Sequence, residues 1–137
     1  MQKTILLADD NEDLRMLLSH ELKFRGYNVI TAENGVQAVE KAVAEKPDLI
    51  LMDIMMPVKD GTQAAEDLKE IPSACDIPVL FLTSLVQKDE ESGSEVADRA
   101  ALPKSMRADD LVRVIESVLA KKGKQNYSVA DDADSAV

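Results

Sequence analysis

Basic character is what this chain lacks most. Sixteen Lys and Arg stand against 26 Asp and Glu, a formal net charge of −10 over 137 residues. Such a chain has no electrostatic footing on nucleic acid or on an anionic bilayer. The acidic excess serves solubility and leaves open attraction to a basic partner surface. Cysteine is nearly absent: the single Cys75 has no internal partner, which excludes a disulfide framework and fits a reducing cytosol. No apolar run approaches the ~20 residues needed to cross a bilayer. No leader is expected either, since Met1-Gln2-Lys3-Thr4 passes straight into an apolar strand. One cytoplasmic globular domain is expected, bound to neither membrane nor nucleic acid.

What is present is an alternation of strand and helix patterns. The stretch Pro47 to Gly61 organises it. Leu49-Ile50-Leu51-Met52 is a short unbroken apolar run, closed by prolines and glycine too tightly for a helix, and so a strand buried on both faces. Thr4 to Ala8 is a first strand of the same kind, Tyr27 to Ala32 a weaker one nearer an edge, and Pro78 to Leu82 a fourth. Arg99 to Leu102 supplies a short fifth. Between them, Leu14, Leu17, Leu18 and Leu22 mark a first helix closed by Gly26. Asn34-Gly35 is read as a turn before a helix inward at Val36, Val39, Ala42 and Val43, and a third helix runs from Thr62 to Ile71. Gln87 to Asp98 is polar, contains a glycine and makes at best a poorly striped fourth helix. A last helix spans Arg107 to Lys121. From Gly123 the chain has no stripe, so the domain is expected over 3–122 with a disordered tail at 123–137.

Five strand-helix units with right-handed crossovers imply an α/β fold: a parallel sheet with helices on both faces and all strand ends of one sense on one edge. That edge collects Asp9 and Asp10 after the first strand, Asp53 after the third, Thr83-Ser84 after the fourth and Lys104 after the fifth. Three carboxylates in one crevice repel one another, which a divalent cation relieves; oxygen ligands of this kind suit Mg²⁺. A lysine and a hydroxyl beside that ion can bind phosphoryl oxygens, and an aspartate so placed can attack phosphorus itself. Taken singly, each residue also has an ordinary reading as a helix cap, a strand-end hydroxyl or a solvated charge.

Asp9-Asp10, Asp53 in Leu-Met-Asp-Ile-Met-Met-Pro57, the following Asp60-Gly61, Thr83 and Lys104 together make the sequence resemble the receiver domain of two-component response regulators, from about Lys3 to Lys121. The resemblance implies a flavodoxin-like three-layer sandwich with a five-stranded parallel sheet in the order 2-1-3-4-5; the handedness and order are those of the doubly wound class. It implies that Asp53 accepts a phosphoryl group from a histidine kinase or phosphotransfer protein. It further implies that Asp9, Asp10, Asp53 and the carbonyl of Met55 hold Mg²⁺, and that Thr83 and Lys104 engage the phosphoryl group. The resemblance also places the attacking water of self-dephosphorylation between Met55 and Leu85, two apolar residues here, which implies a slow loss of the phosphoryl group. His20 is a surface residue in this reading, the donor histidine belonging to the kinase.

Three departures fall on the side formed by the fourth helix, fifth strand and last helix, which the resemblance makes the surface for a downstream protein. Ala101 stands where an aromatic switch residue is usual, Ser105 follows Lys104 where a proline is usual with Pro103 before it instead, and the fourth helix is weak. Only some fifteen residues follow the last helix, so a stand-alone, chemotaxis-regulator-like receiver or a piece of a longer protein is expected. Two other functions stay open: a pseudo-receiver that binds protein without phosphorylation, and a Mg²⁺-dependent phosphatase with Asp53 as nucleophile.

Overall fold

The computed structural model describes residues 2–83, 94–96 and 99–127. Its elements in order are β1 (Thr4–Ala8), α1 (Glu12–Phe24), β2 (Asn28–Ala32), α2 (Gly35–Glu45), β3 (Leu49–Asp53), α3 (Gly61–Lys69), β4 (Val79–Thr83), β5 (Ser94–Val96), β6 (Arg99–Pro103) and α4 (Ala108–Tyr127). The sheet order is β2-β1-β3-β4-β6-β5. Its first five members pair in parallel, which is the expected five-stranded order. The sequence places β2 at an edge, and there it lies.

The apolar runs become strands because both of their faces are covered. Leu6, Ala8, Ile50, Met52, Val79 and Phe81 point to one side, with Ala38 and Ala42 of α2 and Ala64, Ala65 and Leu68 of α3. Ile5, Leu7, Leu49, Leu51, Leu80 and Leu82 point to the other, with Leu18 and Leu22 of α1 and Leu111, Val112 and Ile115 of α4. Successive residues alternate faces, yet both faces are apolar, so the strands read as unbroken hydrophobic segments. Arg25, the C-cap of α1, ties that helix to the first turn of α4 through Asp109.

Several expectations change. Leu17 is 57% exposed. It lies about 100° around the helix from Leu18, outside the narrow stripe that α1 buries. On α2 the expected Ala42 is fully buried and so is Ala38, which the stripe omits, while Val36 is 37% exposed. Asn34 lies in the bend between β2 and α2, as expected, and also caps the helix: its side chain accepts the Gln37 N–H at 2.9 Å, and Gly35 is the first residue of α2. The fourth helix is not seen in the part of Gln87 to Asp98 that is described. Ser94–Val96 is instead a strand antiparallel to β6, a sixth member of the sheet, whose free backbone groups gain ladder partners that a poorly striped helix there would not bury. Residues 84–93 and 97–98 lie outside the described residues. The last helix continues past Lys121 to Tyr127, so 123–127 is helical rather than tail, with no proline to stop it; residues 128–137 lie outside the described residues.

The third helix starts one residue early, capped by Asp60, whose side chain accepts the Gln63 N–H at 2.9 Å. That bond, followed by one from the Thr62 hydroxyl, holds the Asp60 carboxyl below its ordinary pKa. A depressed pKa means stability present above the unfolded value and lost as pH falls through the folded one. Asp60→Ala is therefore expected to cost about 1 kcal/mol at neutral pH. The deficit should shrink as pH drops below about 4; urea unfolding at pH 7 and pH 3 measures both. A deficit of equal size at the two pH values would rule out the ionised cap as its source.

Candidate functional site

β1, β3, β4 and β6 end on one edge, and the expected residues meet there. Asp9 follows β1, Asp53 closes β3, Thr83 closes β4, and Lys104 is the first residue after β6. Asp9, Asp53 and Thr83 are the buried polar residues of the described chain, at 0%, 3% and 3% exposure. Asp10 is exposed at the rim. One carboxylate oxygen from each of Asp9, Asp10 and Asp53 lies within 4.8 Å of the others.

Lys104 is the cation of the cluster. Its Nζ donates to Asp53 Oδ2 at 3.0 Å and faces Asp9 Oδ2 at 3.2 Å. The second approach is an ion pair without hydrogen-bond alignment, so the buried Asp9 Oδ2 has no hydrogen-bond donor among the described residues. Burial pushes the Asp53 carboxyl above the ordinary carboxylate range, aided by the charge of Asp9, against the opposing pull of Lys104 and the Met55 N–H. Burial works the other way on Lys104, yet its contacts with Asp53 and Asp9 prevail and hold its pKa above the ordinary lysine value. The departures around Lys104 do not displace it. Its backbone N–H donates to Thr83 O at 3.0 Å, and no peptide bond among the described residues is cis. Ala101 is 1% exposed and lies opposite Phe81, the largest fully buried side chain. The interior that an aromatic at 101 would share is thus occupied from β4.

The loop between Asp53 and α3 is held at several points. Met55 N–H donates to Asp53 Oδ1 at 3.3 Å, and Gly61 N–H reaches Ile54 O at 2.7 Å. Gly35 N–H donates to Lys59 O at 2.9 Å, while the Lys59 side chain pairs with Asp67. Val58 takes φ +71°, a conformation a β-branched residue adopts only under strain of about 1–3 kcal/mol. Met55 and Val58 are exposed beside Asp53, at 61% and 79%. The second apolar residue expected on the water path, Leu85, lies outside the described residues, as does Ser84.

Sequence reasoning misses two kinds of participant. Arg15 of α1 donates from Nη1 to Asp9 O at 2.8 Å; an arginine on a helix has no signal separating such a reach from an ordinary surface charge. Gly35 and Gly61 serve as close-contact positions, since a Cβ at either falls far inside contact distance of a backbone oxygen, that of Lys59 or of Asp53. Asp60-Gly61 stands out in the sequence only as part of a motif.

Comparison with known proteins bears on this edge. Residues 5–116 match the family described as the response regulator receiver domain. The chain is 44% identical over 91 residues to the alkaline phosphatase synthesis transcriptional regulatory protein PhoP of Bacillus subtilis, covering 66% of this chain and 36% of that protein. It is 36% identical over 122 residues to the phosphate regulon transcriptional regulatory protein PhoB of Pseudomonas aeruginosa, covering 88% of this chain and 53% of that one. The chain thus spans about a third to a half of the length of these relatives. Among solved structures, the receiver domain of the Pseudomonas aeruginosa sensor histidine kinase PA1611, with a magnesium ion coordinated in its active site cleft, is similar at a TM-score of 0.76 and 28% identity. The match covers 88% of this chain and 99% of that one.

Proposed function

The chain belongs to the response regulator receiver domain family, and from that premise we propose that it takes a phosphoryl group onto Asp53, from a histidine kinase or phosphotransfer protein, with Mg²⁺ as cofactor. The observation that carries this reading is the ion pair of Lys104 with the buried Asp53 at 3.0 Å, set inside a cluster of three carboxylates. A carboxylate oxygen of Asp53 attacks phosphorus, the bond to the donor breaks, and its electron pair leaves with the donor. The Lys104 ammonium neutralises charge on the transferred oxygens. Thr83, buried at the end of the neighbouring strand, offers them its hydroxyl.

Asp9, Asp10 and Asp53, with the Met55 carbonyl, are the residues that would hold Mg²⁺, and the buried Asp9 Oδ2 that lacks a hydrogen-bond donor fits that role. Oxygen donors of this set suit a hard cation. When bound, the ion supplies neutralisation of the carboxylates and of the incoming phosphoryl oxygens. The magnesium described for the similar kinase receiver supports the same choice here.

The module changes its own state rather than turning over a substrate, and its output is altered affinity for a protein. The face of β6 and α4 is the proposed output surface. The coupling there does not use an aromatic rotamer, since Ala101 is already packed inside. The relatives are named as transcriptional regulators and are longer than this chain; for the residues at hand, with net charge −10, we propose protein partners and no direct contact with nucleic acid. We place the protein in the cytoplasm, where its kinase partners present their phosphohistidine; no helix among the described residues is long and apolar enough to cross a membrane.

The test is incubation with acetyl phosphate and Mg²⁺ followed by intact-mass measurement. A single phosphoryl adduct is expected, absent with excess chelator. No adduct under saturating donor and Mg²⁺ would leave the pseudo-receiver scaffold as the better reading.

A further inference from the structure

Asp9 and Asp10 are adjacent in sequence but are held very differently. Asp9 is fixed at every polar atom. Its N–H donates to Ala32 O at 3.1 Å, Oδ1 accepts the Asn11 N–H at 2.8 Å, Oδ2 faces Lys104, and its carbonyl accepts from Arg15. Asp10 is exposed, and its carboxylate has no hydrogen bond or ion pair among the described residues. The backbone alone limits where that carboxylate can reach.

The peptide joining the two residues is planar, so fixing the Asp9 carbonyl also fixes the Asp10 N–H and leaves Asp10 only φ and its side-chain torsions. Arg15 is what fixes that carbonyl. Helix side chains lean toward the helix N-terminus, so a residue at the start of the second turn of α1 reaches back over the loop before it. Its Nη1 stands 2.8 Å from Asp9 O, and its side chain is only 15% exposed. Its other contact, Glu33 at 3.8 Å, is with a side chain 62% exposed and holds it weakly.

We infer that Arg15 is a positioning residue of the cation site: by gripping the Asp9 carbonyl it presets the 9–10 peptide, and with it the approach of the Asp10 carboxylate to the ion. This rests on the reading of the acidic crevice as a Mg²⁺ site. Two effects of Arg15 on a cation oppose each other. Its charge repels Mg²⁺, so on electrostatics alone its removal tightens binding. Its hydrogen bond orders a ligand, so on positioning its removal weakens binding. Partners of metal ligands typically matter by ~10–100-fold in affinity, whereas the repulsion from the Arg15 charge is damped by an effective protein dielectric of ~20. Positioning prevails.

The experiment is calorimetric titration of the unphosphorylated protein with MgCl₂, together with thermal unfolding with and without Mg²⁺. Arg15→Ala and Arg15→Gln should each raise the Mg²⁺ dissociation constant about tenfold or more and shrink the Mg²⁺-induced rise in Tm. Arg15→Lys, which keeps the charge and one donor of similar reach, should recover most of the affinity. Comparing each variant with and without Mg²⁺ removes any general loss of stability, and the glutamine variant retains part of the aliphatic stem should alanine fail to fold. Binding by the neutral variants as tight as wild type, or tighter, overturns the role of Arg15 alone. A lysine variant no better than alanine does the same. A wild-type protein that binds no Mg²⁺ overturns the metal site itself, and this role with it.

Discussion

Asp53→Asn should abolish the phosphoryl adduct and at the same time make the protein more stable. The first effect follows from removing the attacking carboxylate: the amide is isosteric but no nucleophile toward phosphorus, and neither Asp9 nor Asp10 is built to replace it. The second follows from the site's electrostatics. Asp53 is 3% exposed, and burial, then the charge of Asp9, raise its pKa in the folded state despite Lys104 and the Met55 N–H. A raised carboxyl pKa disfavours the charged form in the fold. The penalty is absent below about pH 4, where the unfolded chain is protonated too. It grows as pH rises through the raised folded value and is fully present above it. Asparagine carries no such penalty, and Lys104 keeps Asp9 at 3.2 Å as its partner. A gain of about 1 kcal/mol at pH 7 is expected from removing a poorly compensated buried charge, or roughly 3 °C in Tm for a domain of this size. Unfolding at pH 7 and near pH 4 reads it, and the advantage of the variant should narrow at the lower pH. An Asp53→Asn variant less stable than wild type at pH 7 would show that the Lys104 pair outweighs burial.

Gly61→Ala should be among the most damaging single-methyl additions in the chain. Gly61 opens α3 directly beneath the end of β3. A Cβ there would fall far inside contact distance of the Asp53 carbonyl oxygen, 3.0 Å from its carbon and 3.1 Å from Ile54 Cα. All three are backbone atoms, so no side chain can swing aside. Either α3 or the end of β3 must move, breaking the Gly61 N–H bond to Ile54 O at 2.7 Å and shifting Asp53 away from Lys104. Overpacking of this type costs about 1–3 kcal/mol and more when backbone must yield; about 3 kcal/mol, or some 10 °C in Tm, is expected. Gly26→Ala is the control. It has open space around its Cβ but φ +97°, so it should cost only about 1 kcal/mol of backbone strain. Equal losses at the two positions would mean that conformation, not contact, is what Gly61 supplies. In a partly folded Gly61 variant, phosphorylation should fall further than stability, because the displaced atom belongs to the acceptor residue.

The strands and their acidic ends are readable from the residues alone. Thr4–Ala8 is bounded correctly and Leu49–Asp53 and Val79–Thr83 to within a residue, because a strand covered on both faces turns its burial into an unbroken apolar run, a signal that lies wholly along the chain. The carboxylates that end the first and third runs follow with them, and parallel pairing puts them on one edge. Other features are decided by contacts between segments. Ser94-Glu95-Val96 has no strand pattern and is one only because β6 offers it a ladder. Lys104 meets Asp53 although its neighbours depart from the family pattern, since pairing of Leu82 with Leu102 and of Thr83 with Pro103 sets its position. Arg15 and Glu12 read alike as charges on a helix, and only the path of β1 into α1 puts the Asp9 carbonyl under one of them. Gly35 and Gly61 look like turn residues, yet Lys59 and Asp53 press against them across the fold. Burial averaged over a segment leaves its mark on composition, whereas the approach of two particular backbones depends on how separate elements are placed, and hydrophobicity along the chain carries no term for that distance.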